Sequence, residues 1–383
     1  MFTATLGTAP TSVWHMPELA SLLGEHTGPA GGLALPFALP WGPSVALDLT
    51  DSGPVEVHAP GREPLRMQHP AARVSSPDFD WAAPALRAVE LLSEAGYISG
   101  GGPAGRGIRI VLDTTPTPGT AAATAVECAV LLALAETLGH DDLVAQPRQL
   151  AARTAAATPD ASDPWGTLAR SAAVRCRADH VLFLDTHTHG GRGLPLPLAD
   201  HELCLQVVDT HPQAAPGRDG APNDWPASCV EAAERLGVGL LREVAEEPDL
   251  GPVLQRVPQG PLRRRVRHML TEIHRVNAAA GLLRMGVVAE LGPLLNTAHL
   301  SLRDQLECST AEVDLAVETA VHNGARGARL TGPGEAGRVL VLCPVPRDSR
   351  IREAISSAFA AKGWPEPTVR TVAATGGGPS RPL

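Results

Sequence analysis

From Ala121 to Leu138 the chain is almost wholly Ala, Leu, Val and Thr, with Glu127 and Glu136 as the only charged residues. A helix of that composition has no polar face to turn toward water, so it is buried on every side. Upstream, residues 1 to about 115 carry short alternating apolar runs, Val45-Ala-Leu-Asp-Leu49, Val55-Glu-Val-His58 and Ile108-Arg-Ile-Val-Leu112, separated by Gly and Pro clusters. These read as strands of a sheet. The buried helix is fed by a loop of Thr, Pro and Gly, Thr117-Pro-Gly-Thr120.

Downstream the pattern predicts a helix over about 143–157, strands at His180–Asp185 and Leu203–Val208, and a Pro/Gly/Asp-rich stretch from Asp209 to Pro226 that marks a lobe boundary. Helices follow at about 227–237, 239–247, 262–294 with a break near Gly281, and 310–323. Strands at Ala328–Leu330, Val339–Cys343 and Thr368–Val372 close the chain around a helix near 349–362. The fold class is α+β in two lobes: residues 1–210, residues 211–374, and a tail over 375–383 whose composition reads as disordered.

With 383 residues, 44% hydrophobic and 19% charged, the chain has enough material for two lobes sharing a cleft. It has no apolar run of about 18 residues, so no membrane span is expected. A net charge of −9 gives no footprint for nucleic acid. The one basic cluster, Arg263, Arg264, Arg265 and Arg267, spreads around a helix and reads as a solvated face. The first Lys or Arg is Arg62, which argues against a targeting segment and for a cytoplasmic protein. The six cysteines stand far apart with no CxxC pair, so neither a zinc ribbon nor a disulfide framework is indicated, and they are expected to be buried, reduced thiols.

Gly24-Glu-His-Thr27, followed by Gly31-Gly32 and Leu33-Ala-Leu-Pro36, resembles the signature with which galactokinases grip their sugar. Arg267-His-Met-Leu-Thr-Glu272 with Arg275, and Asn296 with His299-Leu-Ser-Leu-Arg-Asp304 and Glu307, resemble helical segments of the same family. His180–Asp185, the segment beginning at Cys229, and Gly327-Ala-Arg-Leu-Thr-Gly332 fall in the family's order. The chain is therefore identified as a member of the galactokinase branch of the GHMP small-molecule kinases. That implies a mixed-sheet N-terminal lobe, a helix-rich C-terminal lobe and a cleft between them.

The resemblance also implies where working residues should stand, and many of those positions hold something else. The family's phosphate loop opens a helix with serines; here Gly119 and Thr120 lead into Ala121, Ala122 and Ala123. A helix start can hold an anion through its free N–H groups, but hydroxyl ligands for phosphate and Mg²⁺ are missing. The acidic metal ligand aligns at or near Ala157, the catalytic Asp with Ala169, and the catalytic Arg with Leu19. Asp160 and Asp163 lie near Ala169, although loop aspartates before a Pro are more often turn residues. The third motif reads Thr331-Gly-Pro-Gly-Glu-Ala-Gly337; Gly332 and Gly334 remain, while Pro333 lacks an N–H and Glu335 adds negative charge. On the sugar side Glu25, His26 and Gly31 persist, but an expected Asp is Gly28 and an expected Tyr is Pro222. No metal ligand set is assigned. Asp185-Thr-His-Thr-His189 would put the Asp and both histidines on one face if extended, an arrangement able to bind a metal.

Loss of so many groups together favours a non-catalytic galactokinase-like protein that binds a sugar or other small molecule, or a protein partner. The alternative is an ATP-dependent sugar 1-kinase of low or altered activity, converting galactose and ATP to galactose 1-phosphate. Mg-ATP enters only under that alternative.

Overall fold

The apolar run is the helix Ala121–Thr137, buried almost without a break from Ala123 to Ala135. In this computed structural model, residues 1–24, 26–68, 77–98, 106–116, 121–140, 144, 172–212, 225–332, 337–372 and 375–381 are described. The strands are, in chain order, β1 (Ser12–His15), β2 (Leu19–Ser21), β3 (Leu33–Ala34), β4 (Pro36–Ala38), β5 (Ser44–Thr50), β6 (Val55–His58), β7 (Leu65–Met67), β8 (Gly107–Leu112), β9 (His180–Asp185), β10 (Gly191–Pro195), β11 (Leu203–Asp209), β12 (Gly327–Thr331), β13 (Arg338–Pro344) and β14 (Thr368–Val372). One sheet has the order β1-β5-β8-β6-β7, antiparallel except where β6 pairs with β8. A second has the order β12-β13-β11-β14, so β11 from mid-chain pairs with strands from its end. The fold class is α+β, as the sequence implies.

Two apolar cores meet at a thin layer made of β2, β4, β3 and β9. Successive side chains on a strand point to opposite faces. Leu19, Ala34, Ala38, Leu182 and Leu184 accordingly face the core that holds the Ala121–Thr137 and Ala83–Glu94 helices. Ala20, Leu33, Phe37 and Val181 face the other core, which holds the helices Pro261–Arg284 and Leu291–Ser301. A register slip of one residue here would exchange the two cores, so the layer fixes how the halves of the chain are joined.

Several expected elements differ. The helix Ala83–Glu94 lies within the stretch read as strands only; Pro84 in its first turn is a helix-start signal that strand periodicity obscured. Residues 239–247 form only the short 3₁₀ turn Leu241–Val244. The long helix runs Pro261–Arg284 straight through Gly281 and stops instead before Gly286, whose φ is 71°. Of the helix expected at 143–157, only Val144 is among the described residues. The tail, expected to be disordered, pairs with β1 through residue 380: His15 N–H donates to Ser380 O (2.8 Å) and Ser380 N–H to His15 O (3.0 Å). Gly376 N–H donates to Ala38 O (2.7 Å), and Arg381 lies over the Trp14 ring. Composition cannot register such backbone pairing. Among the described residues, no helix is long and apolar enough to cross a membrane.

Candidate functional site

The Gly24–Thr27 corner is held by segments far away in sequence. Gly24 has φ of 88°, and a Cβ there would fall 2.2 Å from Leu33 O, so the turn needs glycine. Its N–H donates to Glu272 Oε1 (2.9 Å), while Thr27 Oγ1 donates to Leu33 O (2.7 Å). Trp225 Nε1 donates to His26 O (2.8 Å). The next strand inward is tied to β12: Ser21 N–H donates to Thr331 Oγ1 (3.2 Å), and Arg329 Nη1 donates to Leu22 O (2.8 Å). Gly31, also at positive φ, closes a 3₁₀ turn and packs beneath Leu240, His187 and Arg242.

Behind the corner lies a buried charged cluster of Glu272, Arg275 and Arg329, with the rings of His268 and His26 beside it. Burial alone would raise the Glu272 carboxyl, but Arg275 and Arg329 outweigh it and hold the pKa at about 2. Arg275 Nε donates to Glu272 Oε2 (2.6 Å), and Glu272 is 1% exposed. The carboxylate is therefore charged at any ordinary pH. Burial, with Arg329 adding to it, lowers His26 to about 4; burial lowers His268 to about 3. Both rings are neutral near pH 7. His268 Nδ1 sits 2.8 Å from Ser301 Oγ, whereas His26 Nε2 is buried and has no hydrogen-bond partner among the described residues. An unpartnered ring nitrogen in so polar a corner is suited to meeting a hydroxyl.

The second pair of motif segments braces β12. Asn296 Oδ1 accepts from Ala328 N–H (2.9 Å), and His299 Nδ1 lies 3.4 Å from Leu330 N. These residues are framework for the strand that carries Arg329 and Thr331.

On the other side of β2 the chemistry is apolar. Leu19 is 8% exposed and belongs to the N-terminal core, as does the helix that starts at Ala121. Ala121 and Ala122 are half-buried and Ala123 is buried. These side chains offer no oxygen to a cation, so the described residues do not fit a protein-held Mg²⁺ at this helix start. Beside Leu19, Glu18 Oε2 pairs with Arg338 Nη1 (3.0 Å), joining the segment before β2 to the residue after the third Gly-rich motif. Sequence reasoning missed this pair because its members are 320 residues apart. Gly332 keeps φ of 82°, in the left-handed region that favours glycine. Glu25, Gly119, Thr120, Ala157, Asp160, Asp163, Ala169, Pro222, Pro333, Gly334 and Glu335 lie outside the described residues.

The Asp185, His187 and His189 arrangement is not an extended face. β9 ends at Asp185, and a turn follows in which Asp185 Oδ1 accepts from the N–H groups of His187 (2.9 Å) and Thr188 (3.0 Å). Arg242 takes both carboxylate oxygens, at 2.8 and 3.0 Å. Despite partial burial, that guanidinium and the backbone donors hold the Asp185 carboxyl at about 2. His187 and His189 are exposed.

No family model matches the chain. It is 33% identical to a galactokinase of Streptomyces coelicolor over 377 residues, covering 96% of this chain and 94% of that protein. It is 30% identical to a galactokinase of Mycobacterium tuberculosis over 367 residues, covering 94% and 97%. Among solved structures it resembles Lactococcus lactis galactokinase complexed with galactose, with a TM-score of 0.84 at 22% identity over 100% of this chain and 98% of that one. A mevalonate kinase matches with a TM-score of 0.60 at 13% identity, covering 96% and 100%.

Proposed function

Because the chain belongs to the galactokinase family, we propose that it is a galactokinase-type sugar kinase of low or altered activity, transferring the terminal phosphoryl group of Mg-ATP to a sugar of the galactose class. The observation that carries this reading is the extent of likeness: galactokinases match nearly the whole chain, both cores included. His26, with its unpartnered Nε2, would receive a sugar hydroxyl, beside Glu25 and Gly31. The nucleotide phosphates would lie between the start of the Ala121–Thr137 helix and Gly332 and Gly334. Phosphoryl transfer runs through a loose transition state that asks little covalent help of the protein. Loss of a base therefore slows it, typically by about 10²–10⁴-fold, without forbidding it.

A second reading is a sugar-binding or partner-regulating protein with no transfer. One observation favours it: Leu19, Ala121, Ala122 and Ala123, at positions where the family resemblance implies a catalytic Arg and hydroxyls, are aliphatic, and Leu19 is packed into the core. Transfer from ATP to galactose, followed by ³¹P NMR for galactose 1-phosphate, separates the two. Slow product formation that requires both substrates and the chain supports the kinase. Absence of product, with galactose still raising the melting temperature, supports the second reading, because a ligand that binds only the native state stabilises it. A cytoplasmic location belongs with either proposal.

A further inference from the structure

In the C-terminal sheet, β11 and β13 pair so that Cys204 stands directly opposite Cys343. The two sulfurs are 3.4 Å apart, and the residues are 2% and 0% exposed. The first residue of the helix Asp348–Lys362 closes over them: Asp348 Oδ1 lies 3.9 Å from Cys204 Sγ. One ligand atom from each of the three residues lies within 4.8 Å of the others.

We infer that Cys204, Cys343 and Asp348 form a binding site for a thiophilic divalent cation, zinc by preference, which fastens the start of the Asp348–Lys362 helix to the sheet. A tetrahedral zinc with bonds of about 2.3 Å to sulfur and about 2.1 Å to oxygen separates its ligands by about 3.8 Å for S···S and about 3.6 Å for S···O. The two spacings made by Cys204 Sγ, 3.4 Å to Cys343 Sγ and 3.9 Å to Asp348 Oδ1, differ from these by only a few tenths of an ångström, and the third pair lies within 4.8 Å. The carboxylate is already aimed by outer partners, as metal-binding carboxylates are: Gln206 Nε2 (2.9 Å) and Thr371 Oγ1 (2.7 Å) both donate to Oδ1. Arg352 stands 3.6 Å from Oδ2 and offsets the net negative charge that two thiolates and a carboxylate leave on a dication. The Asp348 side chain is 21% exposed, so the cation has a path in and a water can fill the fourth position. Binding exchanges two thiol protons for one metal ion, releasing two protons to solvent. Two thiols select zinc over Mg²⁺ or Ca²⁺, which take oxygen ligands.

The test uses the full chain, reduced and stripped with a chelator, titrated with Co²⁺ as a spectroscopic substitute for zinc. The site predicts one equivalent of Co²⁺, a thiolate-to-cobalt charge-transfer band with strong tetrahedral d–d absorption, bleaching on addition of Zn²⁺, and release of two protons. Cys204→Ser and Cys343→Ser should each weaken binding by more than the roughly 10–100-fold typical of outer-shell changes. Asp348→Asn should weaken it at least about 10-fold, and Cys176→Ser should leave it unchanged. If the cysteine variants fail to fold, the spectrum of the unaltered chain and the Asp348→Asn titration still decide. Absence of a charge-transfer band while the thiols react with a thiol reagent overturns the site. So does isolation of the chain with Cys204 and Cys343 joined as a disulfide that forms in preference to metal binding.

Discussion

The two sides of β2 are held by different forces. On the Gly24–Thr27 side the backbone is tied down by charge: Glu272 receives the Gly24 N–H, Arg275 neutralises it, and Arg329 anchors Leu22. On the side of the Ala121–Thr137 helix, Leu19 and the alanines pack as apolar volume, and the ion pairs, among them Glu18 with Arg338 and Glu136 with Arg381, stand at its margins. A buried charged cluster is costly to assemble and costly to break, so it fixes one arrangement of the corner. Apolar packing fixes the helix, and Leu19 and Ala121–Ala123 bring to its start no charge with which to neutralise a triphosphate.

Removing the centre of the charged side should have the largest effect. Glu272→Ala would leave Arg275 and Arg329 without their buried counter-charge and the Gly24 N–H unpaired, and should cost about 3–5 kcal/mol in denaturant unfolding. Glu272→Gln keeps a hydrogen-bond acceptor and loses the charge, so its cost against the unaltered protein isolates the electrostatic part, and the further loss in Glu272→Ala reports the acceptor and the packing.

Acid should reach the same corner next. His26 and His268 have folded pKa values of about 4 and about 3, below the ordinary 6.5 of the unfolded chain. The unfolded state then binds more protons, so their contribution is fully present above pH 6.5 and is lost as pH falls toward the folded values. Each neutral histidine contributes a slope of about 1.4 kcal/mol per pH unit in that window. Unfolding at pH 5 should take up close to two protons from this pair, and His26→Gln should halve that uptake.

On the apolar side the effects should be smaller. Glu18→Ala or Arg338→Ala removes a partly exposed ion pair and should cost about 1 kcal/mol or less, with the double variant no worse than the worse single one. A loss as large as that for Glu272→Ala would show that the ion pair, and not apolar packing, holds this side. Ala169→Asp should change the transfer rate least of all. At the position where the family resemblance implies the catalytic Asp, a restored carboxylate would act on a nucleotide that Leu19 and Ala121–Ala123 neither neutralise nor ligate, so a rate gain of about 10²-fold or more would show that the phosphate side works in a way the aliphatic side chains do not suggest.

Much of the fold was legible because periodicity and local motifs are local signals. β6 and β9 run over Val55–His58 and His180–Asp185, the spans their alternation predicts. The family resemblance likewise rested on short segments such as Gly24–Thr27 and Arg267–Glu272. What the sequence could not display was how those segments meet. Glu272 reaches Gly24 across 248 residues, and Cys204 meets Cys343 across 139. Arg329 offered a signal in retrospect, since an arginine inside the strand pattern Gly327-Ala-Arg-Leu-Thr331 must either leave the strand face or find buried partners, and it is 1% exposed. The Asp185, His187 and His189 alternation failed for the opposite reason: the strand stops at Asp185, and a side chain 57 residues away takes the carboxylate.

The contrast between the two sides is tested most directly by calorimetric titration of galactose and, separately, of a non-hydrolysable ATP analogue with Mg²⁺. The account predicts a saturable heat for galactose without nucleotide, abolished by His26→Ala, and nucleotide binding that is weak and gains little from Mg²⁺. Tight, Mg²⁺-dependent nucleotide binding together with no heat from galactose would contradict it.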